Sequence, residues 1–383
     1  MPRPIYLDYN ATTPHDPEVI EAMRPFLESE FGNPSSSHVY GRAPRQAVET
    51  ARSQVADLLG CRPEEILFTS GGTESNNHAL KSAAMLNQSR GKHIITSQVE
   101  HPSVMEVYRF LETRGFEVTY LGVDQTGRVS RERLETELRS DTILISIMHA
   151  NNEVGTIQPI PEIAEIAQEH GILMHTDAAQ SPGKIETKPE ELGVSLLSLA
   201  GHKLYAPKGI GVLYIKEGLC LPPFCHGSGQ ESGRRAGTEN VMMIAGLGKA
   251  CEVAKRDLDK NEAHMQRLRD RLEAAITKRI TNARVNGSHE HRLPNTLSIS
   301  FYGVEANRLL DEIGDHVAAS AGAACHSGTV AVSSVLSAMG MEEQWAKGTV
   351  RLSTGRMNTE QEMGQAAETL ASTVENLQKE KNQ

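Results

Sequence analysis

The sequence predicts an α/β fold: a large domain built on a mainly parallel sheet covered by helices, with a smaller α+β domain beside it. Three observations carry that expectation. Between residues 65 and 215, short runs rich in Ile, Leu and Val recur with little period-two alternation, which suits strands buried on both faces of a parallel sheet. The stretches between them set apolar residues three and four apart, the spacing of helices that cover such a sheet. After about Thr238 the pattern changes to a long, charged helical tract with fewer strands. Residues 16–250 are therefore assigned to the large domain, and residues 1–15 with 251–383 to the small one.

In order along the chain, residues 65–69, 93–96, 142–148, 172–175, 195–199 and 211–215 are predicted strands. Residues 103–113, 130–139 and 160–170 are predicted helices. Gly115 and Gly171 follow two of these helices, where C-terminal glycines are expected. In the small domain the expected elements are a helical tract over 252–280, a strand over 296–300, a helix over 305–314, a strand near Val317 and a strand over 350–353. A polar helix closes the chain. Residues 5–13 are expected to pack near this domain. No internal repeat or low-complexity linker interrupts the pattern.

The 383 residues, 38% hydrophobic and 23% charged, are enough for two sizeable cores. With 39 basic and 49 acidic residues the formal net charge is −10, a bulk field that argues against nucleic acid and anionic lipid as partners. The first residues hold no apolar stretch suited to a signal peptide. A long span without Asp, Glu, Lys or Arg, residues 317–341, carries five serines and is a poor membrane helix. Five cysteines without regular spacing make neither a disulfide framework nor a zinc site. The expectation is a soluble, cytoplasmic protein without a metal centre.

The residues suited to chemistry fall at the carboxyl ends of predicted strands, the edge where open α/β sheets bind ligands. Thr69-Ser70-Gly71-Gly72-Thr73-Glu74-Ser75 follows the first strand and opens a helix. Small residues let the backbone approach a phosphate, and a helix N-terminus offers free N–H donors. The stretch lacks the Gly-Lys-Ser/Thr ending of a nucleotide loop. On its own it is equally a plain strand-to-helix turn. His175-Thr176-Asp177-Ala178-Ala179-Gln180 ends a central strand with a carboxylate, and Gly201-His202-Lys203 follows the next strand. Taken singly, Asp177 is a structural cap and Lys203 a surface lysine. Taken together they suit pyridoxal 5′-phosphate, with the lysine amine bonding the cofactor's aldehyde and the carboxylate pairing with its pyridine nitrogen.

These motifs, with Tyr6-Leu7-Asp8-Tyr9-Asn10-Ala11-Thr12-Thr13, Phe31-Gly32-Asn33-Pro34-Ser35-Ser36, Val99-Glu100-His101, Asn151-Asn152-Glu153, Ala236-Gly237-Thr238-Glu239-Asn240 and Arg351-Leu352-Ser353-Thr354-Gly355-Arg356, run nearly end to end. Through them the chain resembles the class V, fold type I pyridoxal-phosphate enzymes, and among these the cysteine desulfurases and their selenocysteine lyase relatives. The resemblance implies that Lys203 holds the cofactor covalently, Asp177 pairs with its pyridine nitrogen and His101 stacks on its ring. It implies that Gln180 and Asn152 bond near the phenolic oxygen, and that Gly72, Thr73 and His202 hold the phosphate. Thr238 matches a threonine that reaches the phosphate from a partner subunit, which implies a homodimer. Arg351 matches the arginine that clamps the substrate carboxylate, a task suited to a bidentate guanidinium. Asn33 is a second candidate for that task. Cys325, in Ala321-Gly322-Ala323-Ala324-Cys325-His326-Ser327-Gly328, matches the nucleophile that takes sulfur from cysteine as a persulfide and passes it to an acceptor protein. Its small neighbours suggest a mobile loop, and His326 is placed to help form the reactive thiolate. The remaining cysteines read as buried or incidental thiols.

Two positions depart from the family pattern. Ala200 stands where many desulfurases carry a phosphate-binding serine, and His326 where those of the iron–sulfur type usually carry threonine. Ala324-Cys325-His326-Ser327 is closer to the selenocysteine lyases, but residues 328–332 lack the acidic stretch of the mammalian type. The expected activity is conversion of L-cysteine to L-alanine; release of selenium from L-selenocysteine is the alternative. Another reaction on the same fold, such as an aminotransferase, a non-catalytic scaffold and a metal hydrolase using the 15 histidines are the readings from other classes.

Overall fold

The structure, a computed structural model, describes residues 3–322, 325–326, 329–330 and 332–381; the side chains of residues 325, 326, 329, 330 and 381 are not described. In chain order the strands are β1 (Ile5–Tyr6), β2 (Ile66–Thr69), β3 (His93–Ser97), β4 (Glu117–Leu121), β5 (Thr142–Ser146), β6 (Leu173–Asp177), β7 (Leu196–Ala200), β8 (Gly211–Ile215), β9 (Ala283–Asn286), β10 (Thr296–Phe301), β11 (Val317–Ala318), β12 (Ser320–Ala321), β13 (Cys325–His326), β14 (Thr329–Val330) and β15 (Thr349–Ser353).

The larger sheet has the order β2-β8-β7-β6-β5-β3-β4. Strands β3 to β7 run parallel to their neighbours, while β8 is antiparallel to β2 and β7. The missing period-two alternation has a direct cause. Ile66, Phe68, Ile95, Ile145 and Leu197 face a core completed by the helices Val39–Leu59, Ile160–Glu169 and Val241–Arg256. Leu67, Ile94, Leu144, Leu196 and Leu213 face a second core under the helices Gly72–Asn87 and Pro102–Glu112. Both sheet faces are dry, so both side-chain sets are apolar.

The smaller sheet, β12-β15-β10-β9, is antiparallel throughout. It shares a separate core with Leu268, Leu272 and Ile276 of the helix Leu258–Arg279 and with Met363, Leu370 and Val374 of the last helix, Glu360–Lys381. Leu7 from the start of the chain is buried there too. Next to it, β1 pairs parallel with β11, and Asp8 bridges to Ser353.

Several boundaries differ from expectation. The tract expected over 252–280 is two helices, because Asp257 (φ −111°, ψ 15°) breaks the turn between Arg256 and Leu258. Strands β4 and β9 were not expected from the pattern; both are sheet edges with partly exposed residues. Strand β6 runs to Asp177, so the carboxylate is its last residue. Gly115 and Gly171 have φ of +82° and +61°, as a left-handed helix end requires. Around Cys325, the backbone of β13 pairs with β14, Cys325 opposite Val330 and His326 opposite Thr329. The rest of the expected loop, 323–324 and 327–328, and the Cys325 side chain lie outside the described residues. Among the described residues no helix is long and apolar enough to cross a membrane.

Candidate active site

Strands β2, β3, β6 and β7 deliver their following residues to one cavity of about 320 Å³, the size of a small-ligand pocket. Gly72, Thr73, His101, Asn152, Asp177, Gln180, His202, Lys203 and Arg351 all line it. Thr238 is exposed and borders a separate cavity with Ser70 and Arg235. Asn33 is also exposed, and its Oδ1 accepts the Ser35 N–H at 2.8 Å.

Lys203 ends a short 3-10 turn that follows β7. Its Nζ donates to the backbone carbonyls of Asn10 (2.5 Å) and Ala11 (2.7 Å). Burial lowers its pKa to about 8, helped by the Arg351 guanidinium and opposed by Asp8 and Asp177. Near neutral pH a useful fraction of this amine is therefore uncharged, the form a nucleophile or base requires. The adjacent His202 ring is pushed down to about 4 by burial and by Lys203, Lys208 and His101. It is neutral, with Nδ1 3.3 Å from Thr12 Oγ1.

Asp177 anchors a relay on the other side. Its Oδ1 accepts the Ala179 N–H (2.9 Å) and its Oδ2 an Asn76 amide N–H (2.7 Å). Asn76 Nδ2 also donates to Ser103 Oγ at 2.8 Å, and that hydroxyl lies 2.8 Å from His101 Nδ1. The Ser103 backbone N–H donates to the same nitrogen at 3.1 Å. Because a backbone N–H can only donate, Nδ1 is the acceptor and the neutral ring keeps its proton on Nε2. Burial lowers the His101 pKa, consistent with a neutral ring.

The helix Gly72–Asn87 starts at the cavity. Gly71 before it has φ +151°, and a Cβ added to Gly211 would meet Gly71 backbone at 2.6 Å. Only glycine permits this tight turn. A Cβ on Gly72 would come within 3.2 Å of the Ala200 methyl, so the helix N-terminus sits directly on the end of β7. From the smaller sheet, Arg351 enters in mid-strand. Its Nη2 donates to Asp8 Oδ1 at 2.8 Å and its Nη1 to the Asn152 carbonyl at 3.1 Å. Its Nε is buried without a partner, as is Asn76 Oδ1. A carboxylate, an amine of lowered pKa, a helix N-terminus and a guanidinium with an unused donor converge here. That set fits pyridoxal phosphate together with an amino acid.

Sequence reasoning did not single out Asn10, Asn76, Ser103 or Lys184. Asn10 stood inside one of the recognised motifs and Asn76 directly after another, where their position was the available signal. Lys184 carried one only in its spacing, four residues beyond Gln180. Among the other cysteines, burial pushes the Cys61 thiol up to about 12, and Cys251 is fully buried with its thiol also pushed up. Neither is reactive near neutral pH.

Comparisons with known proteins show the family of the chain. The family model for aminotransferase class-V matches residues 5–365. The cysteine desulfurase IscS of Dictyoglomus turgidum is 48% identical over 378 residues, covering 98% of this chain and 96% of its own. That of Methanosarcina thermophila is 46% identical over 97% of this chain and 92% of its own. Among solved structures, a NifS-like protein superposes with a TM-score of 0.91 at 39% identity, over 98% of this chain and 100% of its own. SspA in complex with cysteine gives 0.82 at 38% identity, over 93% and 100%. With a lysine and a carboxylate at the ends of buried strands and relatives matched along almost its whole length, this chain belongs to the aminotransferase class-V family and, within it, to the pyridoxal-phosphate-dependent cysteine desulfurases.

Proposed function

We propose that the protein converts L-cysteine to L-alanine and transfers the sulfur first to Cys325 and then to an acceptor protein. The observation that carries this reading is the convergence of Lys203, held near pKa 8, with Asp177 and Arg351 in one cavity. Pyridoxal 5′-phosphate, when bound, supplies an electron sink for charge developing at the substrate's α-carbon. Lys203 anchors the cofactor and, once released, is the base that moves the α-proton. Asp177 pairs with the pyridine nitrogen, and the Asn76–Ser103 relay holds His101 for stacking. Gln180 and Asn152 bond near the phenolic oxygen. Gly72, Thr73 and His202 receive the phosphate, and Arg351 binds the substrate carboxylate, with Asn33 a second candidate. The Cys325 thiolate attacks the substrate sulfur; the new S–S bond replaces the Cβ–S bond, whose electron pair stays with the substrate, and a proton taken up at Cβ completes the alanine that leaves.

The exposed position of Thr238, away from this chain's own cavity, supports a second copy whose site it completes, and hence a homodimer. A division into a large and a small domain is supported by the two separate sheet cores, but a boundary at 250 would cut the helix Val241–Arg256, whose Cys251 and Ala254 pack in the first core. Cytoplasmic residence is supported by the free state of the four described cysteines. L-Selenocysteine as substrate is not favoured, since the relatives matched are cysteine desulfurases.

The test is a parallel assay of the purified holoenzyme with L-cysteine and L-selenocysteine, measuring alanine alongside sulfide or selenide. Alanine from cysteine is expected. The variant Cys325→Ser should keep the cofactor's visible band and lose alanine formation from cysteine. A native rate in that variant would remove Cys325 from the chemistry.

A further inference from the structure

The proposed contact of Gln180 with the cofactor leaves open what holds its amide the right way round. Gln180 Nε2 donates to the Asn10 backbone carbonyl at 3.0 Å, and its Oε1 accepts from Lys184 Nζ at 2.7 Å. Lys184 is itself buried, and its Nζ also donates to Asn10 Oδ1 at 3.0 Å. Among the described residues its partners are both neutral amide oxygens, and none is a carboxylate. Lys184 donates to Oε1 through an N–H that it has whether charged or neutral, and the Asn10 carbonyl at Nε2 can only accept. Together they turn the Gln180 oxygen toward Lys184 and its NH₂ toward Asn10 and the cavity. One Gln180 N–H goes to Asn10; among the described residues the other has no protein partner, and it is left for a ligand. The same lysine fixes Asn10, whose Oδ1 also accepts from Asn295 and whose amide N–H groups then go to the Asn152 carbonyl and Thr296.

We propose that Lys184 is a positioning residue that sets the amide orientation of Gln180 and so presents its free N–H to the cofactor's phenolic oxygen. This rests on the reading of Gln180 as a cofactor contact. Burial and the nearby Lys203 and Arg351 push the Lys184 pKa well below its ordinary value. A neutral amine would still have two N–H groups for its two acceptors. Burying a lysine without a counter-charge is costly, which sets it apart from packing residues that an apolar side chain replaces freely.

The experiment is a double-mutant cycle on the full-length protein with pyridoxal phosphate as the probe. It uses Lys184→Met, Gln180→Leu and both together, and reads the cofactor's dissociation constant and the position of its visible band. Thermal unfolding of the cofactor-free proteins separates loss of fold. Gln180→Leu is expected to weaken binding about tenfold, an ordinary hydrogen-bond effect, and to shift the band. Lys184→Met should do nearly the same, and the double variant should be no worse than Gln180→Leu, because the lysine acts through the glutamine. Should Lys184→Met fail to fold, Lys184→Gln, whose amide can accept as well as donate, takes its place in the cycle. Effects that multiply in the double variant, or a lysine variant with unchanged binding and band while Gln180→Leu acts, would overturn the proposal for Lys184 alone. A silent Gln180→Leu would overturn the reading of Gln180 and the proposal with it.

Discussion

The two sheets supply the cavity in different ways. The larger sheet sends its chemistry from strand ends: Asp177 is the last residue of β6, Lys203 follows β7, and Gly72 and Thr73 follow β2. The smaller sheet sends Arg351 from the middle of β15, opposite Ser298 of β10 and Ser320 of β12. A residue beyond a strand end is placed by a few turn dihedrals and can differ without disturbing the sheet. A residue in mid-strand is placed by register, and a shift of one would turn it to the opposite face. The parallel sheet thus carries the reactive groups on adjustable mounts, while the antiparallel sheet carries a fixed gauge for the substrate.

The largest effect should come from the strand-end side. Lys203→Ala removes the anchor and the base together; alanine formation is expected to fall by at least about 10²–10⁴-fold, the ordinary worth of a positioned base. A variant of near-native activity would mean that the strand ends do not carry the chemistry. Arg351→Lys keeps the charge and loses the fork. It should raise KM for L-cysteine by roughly ten- to a hundredfold, the scale of one charged hydrogen bond, with a smaller change in kcat. Unchanged KM would make Arg351 a structural partner of Asp8 rather than a gauge.

The smallest effect connects the two regions. The Lys203 amine is protonated and unreactive well below pH 8 and increasingly neutral above it. The rate at which cofactor-free protein develops the visible band should therefore rise with pH around a midpoint near 8. Because the Arg351 guanidinium lowers this pKa while Asp8 and Asp177 raise it, Arg351→Gln should move the midpoint upward. A downward move would show that the smaller sheet does not set the amine's charge.

How much was legible follows from the same physics. Strands β2, β3 and β5–β8 were readable because burial on two faces makes them short apolar runs. Strand β4, with Glu117 exposed and the next three residues half-exposed, lacks that signature. Edge strand β9, with Arg284 exposed, lacks it as well. Asp177, Lys203 and Arg351 were legible through motifs. Asn76, Ser103 and Lys184 act through hydrogen bonds to residues whose proximity only the fold creates, such as the 101-residue separation between Asn76 and Asp177. The same holds for Arg351 and Asp8, 343 residues apart.

That last separation has a consequence for how the protein comes together. The segment carrying Asp8, Asn10 and Ala11 leaves the ribosome well before β15, to which it bridges. Loop closure over such a span is slow compared with local pairing, so the larger sheet forms before the two acceptors of Lys203 are in place. Strand β1 is only two residues long, so the segment is held less by strand pairing than by the buried side chains of Leu7, Tyr9 and Asn10. Loosening that packing would disarm the lysine while the larger sheet stays folded.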